Sequence, residues 1–213
     1  TSIPESDSAH FELGKFALAS RHYEQALVHL QETVRLNDQN GQAWIDLATA
    51  LQLSAASDAD YDQAITAFEN GLVLLPSSAV ANANLGLIYL GKNEFSKAVL
   101  LLEKAVKNDS SNSSILGNLA DAYFSLGRYE QAASAYEQAL QSEKSPEYSN
   151  FYRAQVKRAR EAARNNAGPP PIQAPKNLSL NRSKTYEGYS NIHKEDYVGP
   201  DACGECHTEQ YEQ

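Results

Sequence analysis

"ANANLGLIYLGKNEFSKAVLLLEKAV", residues 81–106, decides how this chain folds. Leu85 and Tyr89 lie four apart, and Phe95, Ala98, Leu102 and Ala105 follow at three, four and three. That is the spacing of an apolar stripe on a helix. Between the two stripes, "LGKNEF" breaks the pattern, so one helix ends there and another begins. Alanine and glycine recur where two backbones must approach closely. The unit is a pair of antiparallel helices.

The same unit occurs four times. A leucine followed by a small residue appears at Leu13-Gly14, Leu47-Ala48, Leu85-Gly86 and Leu119-Ala120, at steps of 34, 38 and 34. An aromatic residue three before alanine appears at Tyr23/Ala26, Tyr61/Ala64, Phe95/Ala98 and Tyr129/Ala132, at steps of 38, 34 and 34. Both ladders share one period, the mark of a repeat architecture. The four extra residues of the longer step fall in "QLSAASDAD" between Leu47 and Tyr61, which reads as a lengthened turn.

These recurring positions resemble those of the tetratricopeptide repeat (TPR) family over residues 7 to about 144. Trp44 and Pro76 each stand once at slots where the family often has them in every repeat. The resemblance implies an all-α fold: a right-handed TPR superhelix of four helix pairs plus a capping helix, followed by an extended tail. It also implies a protein or peptide partner. One pair cannot bury its own apolar face, so the stack must share a core and needs an end cap.

The expected organisation is an N-terminal extension over 1–6 and repeats over about 7–40, 41–78, 79–112 and 113–144. A capping helix follows over 145–165, with Ser145 as N-cap and Pro146 at the first helical position. Tyr148, Tyr152, Val156, Ala159 and Ala163 form its apolar stripe. Arg153, Lys157, Arg160 and Arg164 form a basic one, either a solvated outer face or a docking patch for an acidic partner.

The first helix of each pair lines the groove in this family. Just before each leucine-small pair stand Glu12, Asp46, Asn84 and Asn118. The asparagines resemble the ladder in the superhelical repeats of O-linked N-acetylglucosamine transferase, which implies a grip on an extended peptide backbone. A carboxamide offers donors and an acceptor, so it can pair with a peptide unit without reading its side chain. Asp121 and Phe124, one turn on, are candidates for a charge and a wall of that groove.

Net charge is −9 and the pI is near 5.0, which argues against nucleic acid as a partner. No apolar run of about 18 residues is present to span a membrane. The start "TSIPESDSAH" reads either as a mature chain after leader removal or as a boundary within a longer protein.

Residues 166–202 read as an extended linker rich in proline, serine and asparagine. Such a segment has too little apolar surface to offset its ordering entropy, so it orders only against something else. Its own superhelix and a neighbouring copy are both in reach, which leads to the expectation of a self-associating, ring- or filament-forming protein. Within the last segment, 203–213, lie the chain's two cysteines, Cys203 and Cys206, with His207 directly after.

Cys-x-x-Cys-His is the attachment signature of c-type haem. The two thiols add to the two vinyl groups of one porphyrin, and the histidine ligates iron beneath the ring. "YVGPDACGECH" resembles the haem sites of multihaem cytochromes c. The resemblance implies covalent haem c on Cys203 and Cys206, His207 as proximal ligand, electron transfer or cytochrome assembly, and a periplasmic or extracellular location. His193 is the candidate distal ligand. The chain has no methionine to serve instead, and His10, His22 and His29 read as surface or groove residues of the first repeat. Zinc or thiol redox chemistry are the rival readings, but a zinc site needs about four ligands. Further haem domains beyond Gln213 are an expectation of the same reading. Asn108, Asn112, Asn177 and Asn181 begin Asn-x-Ser patterns that would permit glycans in a secreted chain. No nucleophile–base pair or carboxylate dyad stands in a recognisable setting, so no enzyme is expected.

Overall fold

In a computed structural model of the chain, the described residues are 6–55 and 57–171. Among them are nine α-helices and no strand. The helices are α1 (Asp7–Ala19), α2 (Tyr23–Leu36), α3 (Gly41–Ser54), α4 (Asp58–Leu74), α5 (Ala79–Gly91), α6 (Phe95–Asn108), α7 (Ser113–Ser125), α8 (Tyr129–Ser142) and α9 (Pro146–Arg164). Each packs on the next, α1 also touches α3, and α5 touches α7. Four antiparallel pairs therefore stack in chain order as a superhelix, with α9 closing one end.

Local sequence explains where the helices start. Ser6, Asn40, Ser78 and Asn112 cap α1, α3, α5 and α7, each side-chain oxygen accepting from a backbone N–H in the first turn. The second helices α2, α6 and α8 have no side-chain cap. Their entry is a tight turn through one left-handed residue: Arg21 at φ 62°, Asn93 at φ 60° and Gly127 at φ 73°. The lengthened turn of the second repeat uses another device. There Ser57 accepts from the Asp60 N–H, and the Asp60 carboxylate accepts from the Ser57 N–H in a capping box.

The leucine-small pair has a steric reason. A Cβ on Gly86 would stand 2.8 Å from Leu102 Cγ on the partner helix, too close for any real contact. The repeats with alanine at this position, Ala48 and Ala120, carry Phe68 and Tyr136 at the position equivalent to Leu102. Small residue and partner side chain are matched pair by pair.

The core falls into two clusters. One joins the first two repeats and reaches Ala81, Leu85 and Ile88 of α5. The other joins the last two repeats and the buried stripe of α9, Tyr152, Val156 and Ala159. Tyr89 packs against both. Of the consecutive helices, α4 and α5 touch each other least.

The cap is tied down by more than apolar burial. Tyr152 donates its hydroxyl to the Ser113 carbonyl at 3.0 Å, and Arg160 pairs with Glu137 of α8 at 2.6 Å. Arg153, Lys157, Arg160 and Arg164 are all exposed. The folded unit also continues past α9. The Tyr129 hydroxyl donates to the Gly168 carbonyl at 2.6 Å, and a Cβ on Gly127 would lie 3.2 Å from Pro169. Sequence composition starts the linker at 166, yet these residues lie against the α7–α8 turn.

Candidate functional site

The position before each leucine-small pair occupies the same turn of α1, α3, α5 and α7, but its burial climbs along the stack. Glu12 is exposed and Asp46 half-buried, while Asn84 is 9% and Asn118 1% exposed. The two asparagines are thus the covered rungs and the two carboxylates the accessible ones.

At the open end, Lys15 Nζ donates to both Glu12 oxygens at 3.1 Å. Asp46 accepts from Gln42 Nε2 at 2.7 Å. Burial pushes the Asp46 carboxyl up to about 6, against smaller opposing effects of the Gln42 hydrogen bond and the Lys15 charge. A carboxylate so desolvated gains from an approaching cation, so this part of the groove favours positive groups.

At the capped end the chemistry is internal. Among the described residues, neither Nδ2 nor Oδ1 of Asn118 has a hydrogen-bond partner. The Tyr136 hydroxyl of α8 donates to Asp121, and burial followed by the Asp121 charge raises that phenol well above its ordinary range. Phe124 packs edge-on against Tyr129 with centroids 4.9 Å apart, beneath the Arg158 guanidinium of α9 at 4.3 Å. Asp121 and Phe124 therefore join α7 to α8 and α9. The sequence signal for this was the capping helix itself, which brings Arg158 and Tyr152 onto α7.

Other functional candidates of the sequence take definite places. Asn112 caps α7 through its carboxamide oxygen, and Asn108 donates to the Lys104 carbonyl at 2.8 Å. Asn82, which sequence reasoning passed over, donates to the carbonyls of Pro76 at 3.1 Å and Ser78 at 2.8 Å and so fixes the α4–α5 loop. Beside that loop is a shallow depression of about 390 Å³ lined by Gln42, Leu74, Leu75, Pro76, Ser77 and Ser78. His10 and His29 of the first pair face each other. Cys203, Cys206, His207, His193, Asn177 and Asn181 lie outside the described residues.

Fold and groove define a helical-repeat solenoid with a concave face lined by first helices. The repeat is the tetratricopeptide repeat: sequence models of that family match residues 53–113 and 90–155, and the described helices adopt its superhelical fold. The chain is 28% identical over 120 residues to the general transcriptional corepressor trfA of Dictyostelium discoideum. It is 26% identical over 133 residues to superkiller protein 3 of Schizosaccharomyces pombe. These stretches cover 56% and 62% of this chain but only 8% and 9% of the relatives, so the chain spans under a tenth of their length. Among solved structures, MamA from Desulfovibrio magneticus RS-1 superposes with a TM-score of 0.59 at 21% identity, covering 77% of this chain and 94% of that one. TTC0263, a thermophilic TPR protein of Thermus thermophilus, gives 0.54 at 22% identity, covering 74% and 83%. No helix among the described residues is long and apolar enough to cross a membrane.

Proposed function

We propose that the chain is a protein-interaction scaffold that joins copies of itself head to tail. The observation that carries this reading is a ladder of equivalent positions on the first helices. Ala50, Ile88 and Ala122 are 0–1% exposed against the preceding pair, whereas Phe16 of α1 is 50% exposed. Leu13 is likewise more open than Leu47, Leu85 and Leu119. This half-exposed position of the first pair corresponds to ones that the other pairs bury between repeats.

Charge names the occupant. No lysine or arginine lies between Arg35 and Lys92, a stretch with six carboxylates. The α9 segment carries five cations against two acids, around an exposed Phe151. The acidic middle of one copy and the basic cap of the next are therefore complementary in sign. Such a contact is heterologous and propagates into a ring or an open filament. In the same reading the groove beside Glu12 and Asp46 takes an extended, cation-bearing segment.

Light scattering after size exclusion tests this reading. Assembly should grow with concentration, weaken as salt is raised, and be lost separately in Phe16→Asp and in Phe151→Asp. A chain that stays monomeric at about 100 μM in low salt ends the proposal. Truncation after Pro171 separates this contact from one made by the tail, because it leaves both ends of the stack intact.

A second reading concerns the far C-terminus and rests on Cys-x-x-Cys-His with its "YVGPDA" lead-in. Two thiols three positions apart and an adjacent imidazole are a donor set that fits covalent haem c. Cys203 and Cys206 would carry the thioethers, His207 would sit beneath the ring, and His193 would be its distal partner. Bound there, the haem supplies one-electron chemistry, which makes the scaffold a holder for electron transfer or cytochrome assembly in a periplasmic or extracellular setting. A pyridine haemochrome spectrum after expression with cytochrome c maturation decides it, since absence of the signal removes the reading.

A further inference from the structure

His10 of α1 and His29 of α2 stand 19 residues apart in sequence, with their Nδ1 atoms 3.1 Å apart across the helix pair. The rings tilt by 45° with centroids at 5.3 Å. Both residues are partly buried. Burial, and then the neighbouring His10, hold the basicity of His29 below its ordinary value.

Distance sets what the two rings can share. Metal–imidazole bonds of about 2.0–2.1 Å place two nitrogens about 3.3 Å apart at a tetrahedral angle and about 2.9 Å apart at a right angle. The observed 3.1 Å lies between these values. A divalent ion of the zinc, nickel or copper class can enter with only a few tenths of an ångström of adjustment.

We propose that His10 and His29 form a two-histidine site for a divalent transition metal, which staples α1 to α2. Among the described residues no group of three or more histidine, cysteine or carboxylate ligands is gathered. Solvent therefore supplies the other positions and affinity is modest. Glu32, one turn beyond His29, is engaged by Arg35 at 2.5 and 2.7 Å and stays outside the ligand set. The Asp7 carboxylate, one turn before His10, accepts from Asn37 Nδ2 at 2.8 Å.

The position gives the staple a purpose. Among the described helices, each inner pair packs against a pair on either side, whereas α1 packs chiefly on α2 and α3. A ligand that binds only the closed pair stabilises it by mass action. Metal supply would thus set how firmly the first repeat is formed.

The test is a titration of Ni²⁺ into the full chain carrying Cys203→Ser and Cys206→Ser, so that the C-terminal thiols do not compete. Calorimetry and the melting temperature are both read. One ion per chain should bind with a rising melting temperature, and affinity should fall at least tenfold in both His10→Gln and His29→Gln, while His22→Gln keeps the response. Circular dichroism of the metal-free variants shows whether they remain folded. No binding at millimolar Ni²⁺, or binding unchanged in either folded variant, overturns the site and leaves the pair as an ordinary N–H···N hydrogen bond.

Discussion

Replacing Asp46 by asparagine should stabilise the protein, and more so as pH rises. Burial raises this carboxyl from 3.8 to about 6. The native state therefore holds a proton that the unfolded chain has released between those values. The linked stability is fully present below pH 3.8 and is lost as pH climbs through 6. At about 1.4 kcal/mol per pH unit the ceiling is about 3 kcal/mol, and partial solvent contact brings the expected gain to about 1–3 kcal/mol. Asparagine is nearly isosteric, keeps an oxygen for Gln42 and carries no charge to desolvate. Urea unfolding of both proteins at pH 4, 5, 6 and 7.5 is the assay. The two curves should nearly coincide at pH 4 and separate steadily towards pH 7.5, with the variant more stable. An equal gain at every pH, or one largest in acid, refutes the assignment of the penalty to a desolvated carboxylate.

Asn118→Leu should also stabilise, by about 1–3 kcal/mol, because it removes a buried carboxamide with no partner among the described residues; thermal unfolding measures it. Gly86→Ala should cost about 1–3 kcal/mol through the clash with Leu102, and Leu102→Ala in the same chain should relieve part of it. Arg21→Gly should be neutral or stabilising by up to about 1 kcal/mol, since φ is 62° there. Gly127→Ala should destabilise and expose residues near Gly168 to faster amide exchange, because a Cβ meets Pro169 at a positive φ.

The fold was legible because its signals are local and repeated. Period and the leucine-small pairs are readable within a few residues, and the four-residue excess in the second repeat appears as a turn with its own capping box; Ser145, read as the N-cap of α9, makes no side-chain cap bond there. The groove was legible only as a register. That Asn118 is enclosed while Asp46 stays half-open follows from what packs on each helix, and α9 touches only the last pair. The His10–His29 contact depends on the relative rotation of two helices, to which the spacing of either one is blind. Gly168 and Pro169 belong to a stretch whose composition says linker, and only the Tyr129 hydroxyl and the bare Cα of Gly127 make it part of the fold.

The division of the apolar interior at α5, beside the sparse α4–α5 contact, has a mechanical consequence. A rod with two cohesive halves and a thin joint bends at the joint first. Under tension from its ends it should lengthen in two discrete steps, not in four equal ones. An optical-trap trace would register that joint directly, and Tyr89, as the side chain shared by both halves, would set the force of the first rip.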